Sequence, residues 1–166
     1  MIITSITQIG DPQILLYEGK YYCYATHTNH YSTGFSVWVS EDMENWSEPV
    51  PCFEDAIASW GKSHFWAPEV VYQNGKYYAT NDYAICVSVA DTPFGPWKKS
   101  VNNPVLSCRA DLFGAGHNAF FEGKDGELYT SFHVQTDAAN PSGDRRVVIG
   151  RVTFSEKDGE IFEAIE

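Results

Sequence analysis

The sequence is poor in positive charge. Its 166 residues include 11 lysines and arginines against 22 aspartates and glutamates, giving a net charge of −11. Nucleic acids and anionic membrane surfaces are bound through basic patches, so we expect neither as a partner. Charged residues make up only 20% of the chain and aromatic residues 15%. This composition excludes a disordered chain, and the length suits a single domain over 1–166.

The chain also lacks long apolar runs and paired cysteine motifs. No segment approaches the roughly 18 apolar residues of a transmembrane helix, and the first residues show no secretory signal. The cysteines lie far apart, without the C-x-x-C spacing of zinc and redox sites: Cys23, Cys52, Cys86 and Cys108. We therefore expect buried, reduced thiols and a cytoplasmic protein.

What the sequence does contain is a repeat. Three segments each combine a strand, a tight glycine turn and a second strand: 11–22, 67–78 and 117–129. A third apolar strand is predicted after each of them, at Phe35–Ser40, Ala84–Ala90 and Arg146–Val152. Helical periodicity is missing from any stretch of ten or more residues. The turns are Glu18-Gly19, Asn74-Gly75 and Asp125-Gly126, and the last two dipeptides favour primed hairpin turns.

The spacing of the repeats predicts a β-propeller. The turn glycines are Gly19, Gly75 and Gly126, and four short strands per unit of about 50 residues are typical of a propeller blade. A β-sandwich is the alternative. We predict an all-β fold with blades over about 8–52, 64–106 and 114–166 in one domain.

Three blades are fewer than the usual four to eight of a propeller. A chain with three blades would have two exposed apolar flanks and open sheet edges. Two chains related by a two-fold axis would cover both flanks at once. We therefore expect a homodimer that closes a six-bladed ring.

The motifs of the repeats resemble those of glycoside hydrolase family 43, whose members are five-bladed furanosidases and xylosidases. The matching pieces are Asp11-Pro12, Gly34-Phe35, Ser40-x-Asp42-Met43-x-x-Trp46, Phe65-Trp66-Ala67-Pro68-Glu69-Val70, 89–97, Gly114-Ala115-Gly116-His117-Asn118 and 146–154. The resemblance implies a glycoside hydrolase that acts on arabinofuranosyl or xylosyl saccharides.

The chain departs from the family pattern in its length. The matching pieces resemble blades one, two and five of a family member. In the family, the third blade supplies an aspartate that tunes the acid, and the fourth supplies the glutamate general acid. Only the base position therefore carries over, onto Asp11. A saccharide-binding protein without turnover and a structural remnant without ligand are the alternatives.

Two carboxyl groups are the candidates for catalysis, since glycoside hydrolysis needs a pair across the scissile bond. Aligning the repeats places Asp11, Ala67 and His117 at equivalent positions near the axis. The two-residue period of a strand then places Glu69 on the face of Ala67. We predict Asp11 and Glu69 as the pair, with the pKa of Glu69 raised by burial near other carboxylates. The alternatives are a turn-forming role for Asp11 and an ion pair of Glu69 with Lys62 or Lys76.

The remaining candidates are binding residues. His117 resembles the axial histidine of the family, which implies a calcium or other cation held directly or through water; a hydrogen-bonded core histidine is the alternative. Trp66 is a candidate for sugar stacking or for core packing. The other candidates for saccharide binding lie at strand ends: His27, Asp82 and His133.

Overall fold

A computed structural model describes residues 2, 4–27, 34–53, 65–81, 85–107, 112–136, 144–157 and 160–165. The regular elements within these ranges are β-strands, arranged in three four-stranded sheets. Over the same ranges we find no helix long and apolar enough to cross a membrane. The predicted all-β fold made of four-stranded blades is confirmed.

Each sheet is a meander in which strands that follow one another along the chain lie side by side. The first sheet contains β1 (Ile9–Tyr17), β2 (Lys20–His27), β3 (Phe35–Ser40) and β4 (Val50–Phe53). The second contains β5 (Glu69–Gln73), β6 (Lys76–Asn81), β7 (Cys86–Ala90) and β8 (Lys98–Lys99). The third contains β9 (Phe113–Glu122), β10 (Leu128–Gln135), β11 (Arg145–Lys157) and β12 (Glu160–Ile165).

The hairpin turns correct one detail of the sequence prediction. Glu18-Gly19 and Asn74-Gly75 have positive φ at both central residues, at 47° and 76° and at 50° and 79°. This is the pattern of a primed turn. In the third hairpin only Gly126, at 78°, has a positive φ, so the primed turn predicted at Asp125-Gly126 is wrong. This repeat is one residue longer, and the N–H of Gly126 donates to the carbonyl of Gly123 over 3.0 Å, which makes a wider loop.

The chain divides into two compact units, Met1–Ala79 with Ser88–Lys98 and Thr80–Val87 with Lys99–Glu166. The core of the first unit is largely aromatic and includes Tyr22, Tyr24, Phe35, Phe65, Tyr77 and Trp97. The core of the second unit includes Ile85, Leu106, Phe132 and Val134. A single domain over the whole chain stays a prediction.

The cysteines that the structure describes are buried free thiols, as expected. They are Cys23, Cys52 and Cys86, while Cys108 lies outside the described residues. Burial raises the pKa of Cys23 to about 11, of Cys52 to about 12 and of Cys86 to about 11. These thiols therefore act as small apolar core residues.

Two sheets present apolar side chains to solvent. On β1, Ile14 and Leu16 are 51% and 60% exposed, whereas the alternate residues of this strand pack against the core of the first unit. On β11, Val147 and Ile149 are 74% and 61% exposed. We call these the β1 face and the β11 face. Both agree with the apolar flanks expected for an incomplete set of blades.

Candidate active site

Three equivalent residues of the repeats share an unusual backbone conformation. Asp11, Ala67 and His117 have φ values of 48°, 48° and 51°. Residues other than glycine seldom adopt this left-handed region, because the side chain crowds the backbone there. The shared conformation therefore supports the alignment of the three repeats at the level of individual residues.

Asp11 and His117 also lie in matching β-bulges. Gly10 pairs with Thr26 and Gln13 with Tyr24, so Asp11 and Pro12 of β1 lie opposite one residue of β2. In the third sheet, His117 and Asn118 of β9 lie in the same way opposite one residue of β10. A bulge redirects the side chains of its strand. Both exposed side chains are thus set at the start of a blade by the same local distortion.

A side chain of the neighbouring strand donates a hydrogen bond to the carboxylate of Asp11. The hydroxyl of Thr26 on β2 donates to Asp11 Oδ2 over 2.9 Å. The same hydroxyl oxygen accepts the backbone N–H of Ala67 over 2.7 Å. Thr26 thereby links Asp11 to the segment that leads into β5.

A second side chain of the first sheet reaches the same segment. The amide of Gln13 donates through Nε2 to the carbonyl of Val70 over 3.2 Å and accepts the N–H of Val70 at Oε1 over 3.3 Å. Glu69, the first residue of β5, lies between Ala67 and Val70. The backbone before Glu69 and the backbone after it are therefore both hydrogen-bonded to side chains of the first sheet.

The surroundings of Glu69 favour the protonated form of its carboxyl group. Its side chain is half-buried, and burial raises its pKa to about 7. The rise was predicted from burial together with nearby carboxylates, but loss of solvent is the cause that acts here. The alternative ion pair with Lys76 is disfavoured, because that ammonium group is bound to Asp91. Lys62 lies outside the described residues.

The candidate saccharide-binding residues are divided between the two units. Trp66, in the first unit, is half-buried. His27 ends β2 and pairs with Ile9, but its side chain lies outside the described residues, as does all of Asp82. In the second unit, half-buried His133 of β10 pairs with Gly116. The third sheet thus brings His133 close in register to His117, and the placement of Asp11 and His117 near a common axis stays a prediction.

The described residues do not fit a metal centre made of protein ligands. No group of three or more histidine, cysteine, aspartate or glutamate side chains lies close enough to hold an ion within these ranges. A cation held directly by His117 together with two other such side chains therefore finds no support in the part of the chain that the structure describes.

The sequence matches one protein family over most of its length. Residues 4–81 and 79–160 match glycosyl hydrolases family 43. The chain belongs to this family. The match covers β1 to β11, and with them the blade-start positions of Asp11, Ala67 and His117.

Individual proteins that resemble this chain include a curated relative and solved structures. An arabinoxylan arabinofuranohydrolase of Bacillus subtilis (strain 168) is 30% identical over 128 residues, which cover 59% of this chain and 25% of the relative. The chain thus spans about a quarter of the length of this curated relative. Solved structures share the fold. An endo-arabinase from Bacteroides thetaiotaomicron VPI-5482 superposes with a TM-score of 0.72 at 20% identity, covering 96% of this chain and 64% of that one.

A second solved structure is a β-xylosidase/α-arabinofuranosidase of family 43 from a compost microbial metagenome, in complex with xylotriose and in a calcium-free form. It superposes with a TM-score of 0.60 at 21% identity and covers 75% of this chain and 42% of that one. At such identities the two structures establish the fold alone.

Sequence reasoning missed Thr26 and Gln13. Gln13 follows Asp11 by two residues, just as Glu69 follows Ala67, so the repeat alignment could have identified it as the counterpart of Glu69. Thr26 is a polar residue at the end of an apolar strand, and 7% exposed. A buried hydroxyl at that place indicates a hydrogen-bonding role.

Proposed function

We propose that this family 43 chain hydrolyses arabinofuranosyl or xylosyl saccharides, with Glu69 as the general acid and Asp11 as the base or nucleophile. The observation that carries the proposal is the burial of Glu69, which raises its pKa to about 7. A carboxyl group with this pKa is protonated in about half of the molecules at neutral pH, and the protonated form can donate to the leaving oxygen.

Asp11 suits the complementary role. Its carboxylate is exposed and takes a hydrogen bond from Thr26, which leaves its other oxygen to act on water or on the anomeric carbon. Two carboxyl groups in different environments are what an acid and base pair requires. Proton NMR of the first-formed anomer would show whether the product retains or inverts its configuration.

The class of substrate is supported by the relatives. The Bacillus subtilis protein is an arabinoxylan arabinofuranohydrolase, and the compost enzyme was crystallised with xylotriose. Trp66, His27, Asp82 and His133 are proposed as saccharide-binding residues. The test is release of nitrophenol from aryl arabinofuranosides and xylosides by the purified protein, compared with a blank without protein and with an Asp11→Asn variant.

Binding without turnover is the second candidate function. It is favoured by the small number of blades, since the described residues form three sheets and the resemblance assigns the usual acid to a blade that has no counterpart among them. Calorimetry with arabinoxylo-oligosaccharides separates the two functions. Heat of binding without reducing-sugar release would support the binding protein, whereas turnover that depends on Asp11 and Glu69 supports the hydrolase.

We also propose a homodimer in which the β1 face of each chain packs on the β11 face of the other. The support is the presence of two exposed apolar faces, because a two-fold axis would cover both in one assembly. Each chain would then supply three blades of a six-bladed ring.

A calcium ion bound through water near His117 stays a proposal. Its support is the acidity of the chain, with a net charge of −11, since calcium prefers oxygen ligands. No catalytic step depends on it. The test is the melting temperature with calcium and after chelation: a rise with calcium supports the ion, and identical values overturn it.

A further inference from the structure

Thr26 has a constrained hydroxyl group. It accepts the N–H of Ala67 and donates to Asp11. A hydroxyl has a single proton to donate, and its buried position, at 7% exposure, leaves little room for water. Because the oxygen faces a donor on one side, its proton is directed to the carboxylate on the other.

The geometry around Glu69 is fixed from two points. Ala67 is bound by Thr26, and Val70 is bound twice by Gln13. These contacts join segments that are 41 and 57 residues apart in sequence. None of these three hydrogen bonds belongs to the regular ladder of a sheet, so the side chains of Thr26 and Gln13 help to set how β5 lies against β1.

We propose that Thr26 and Gln13 are positioning residues that hold the Asp11 carboxylate and the Glu69 segment at a fixed separation. The roles of the two carboxyl groups rest on the proposed function. The hydrogen bonds of Thr26 and Gln13 to Asp11, Ala67 and Val70, which we call the clamp, do not. Catalysis by two carboxyl groups depends on their distance, and a displacement of about 1 Å can cost on the order of a hundredfold in rate.

The first test measures the clamp without any substrate. Amide hydrogen exchange followed by NMR reports the N–H groups of Ala67 and Val70. In Thr26→Val the Ala67 amide should exchange faster, while Thr26→Ser, which keeps the hydroxyl, should preserve its protection. In Gln13→Met the Val70 amide should exchange faster and that of Ala67 should not. Unchanged protection of these amides in Thr26→Val and Gln13→Met would overturn the clamp.

The second test measures turnover. We expect Thr26→Val to lower kcat by about tenfold to a hundredfold with KM nearly unchanged, and Thr26→Ser to restore kcat. A role limited to stability would lower melting temperature without this split between kcat and KM. A Thr26→Val enzyme with the kcat of the wild type would overturn the positioning role.

The two tests separate the failures. If the wild type has no turnover while the exchange pattern is as expected, the proposed function fails and the clamp stands. If Thr26→Val does not fold, Gln13→Met and Thr26→Ser decide the matter. Gln13→Met should then lower kcat in the same way, and only the Val70 amide should exchange faster. An unchanged kcat in that variant would overturn the proposal.

Discussion

Asp11 and His117 occupy the same position of the same β-bulge in two different sheets, with φ values of 48° and 51°. One side chain is a carboxylate and the other an imidazole. The backbone therefore fixes where a blade-start side chain lies, and the residue type decides its chemistry. The first prediction therefore changes the side chain of Asp11 and leaves the backbone as it is.

Asp11→Asn should abolish hydrolysis of aryl arabinofuranosides and xylosides and leave the fold intact. The amide has nearly the same shape but cannot take up a proton or act as a nucleophile. Initial rates at saturating substrate, with circular dichroism as the folding check, measure this. Asp125→Asn, at an exposed carboxylate of the third hairpin, is the matched control and should keep wild-type activity. An active Asp11→Asn enzyme would remove Asp11 from the mechanism.

Glu69→Gln should show a loss of activity that depends on the leaving group. Hydrolysis of glycosides with poor leaving groups should fall by about a hundredfold or more, because these need a proton from the acid. Activated dinitrophenyl glycosides leave without that proton and should be cleaved at nearly the wild-type rate. Michaelis–Menten kinetics on a leaving-group series distinguishes the outcomes. Equal losses on all substrates would contradict an acid role.

The raised pKa of Glu69, about 7 against an ordinary 4.5, also predicts a pH effect on stability. The folded state holds this proton more tightly than the unfolded state. The free energy of unfolding should therefore fall as pH rises from about 4.5 to 7, and change little above that. The loss is at most about 3 kcal/mol.

Glu69→Gln should therefore be more stable than the wild type at pH 8 and nearly equal to it at pH 4.5. Urea unfolding at the two pH values measures the difference. Glu122→Gln, at an exposed glutamate, keeps Glu69 and should therefore follow the pH profile of the wild type. A Glu69→Gln variant with the same pH profile as the wild type would show that Glu69 is not the group responsible.

The apolar faces predict self-association. Sedimentation at micromolar concentration should give twice the mass of 18.6 kDa, and the melting temperature should rise with protein concentration. Leu16→Lys and Val147→Lys should both shift the protein to a monomer, because each places a charge in the proposed interface. Val101→Lys, at a loop residue that is 66% exposed, should leave the dimer unchanged. A compact wild-type monomer would contradict the closed ring.

The sequence contained enough signal for the blades and too little for the contacts within the site. Phe35–Ser40 was predicted with its observed bounds, because polar turn residues on either side of an apolar run mark both ends of the strand. The pair of Gln13 with Val70 was not foreseen, since a side chain that bonds a backbone 57 residues away produces no periodic pattern. The two-residue period also fails at Asp11, where the bulge adds an unpaired residue.

The left-handed conformation at Ala67 has a consequence for how such repeats diversify. Its φ of 48° matches that of Asp11, yet the position carries only a methyl group. The backbone distortion that a functional side chain needs there is already present in the second blade. Ala67→Asp would consequently add a carboxylate to that blade without a new bend in the chain, but at a position that is 4% exposed, where the added charge would lose its contact with water.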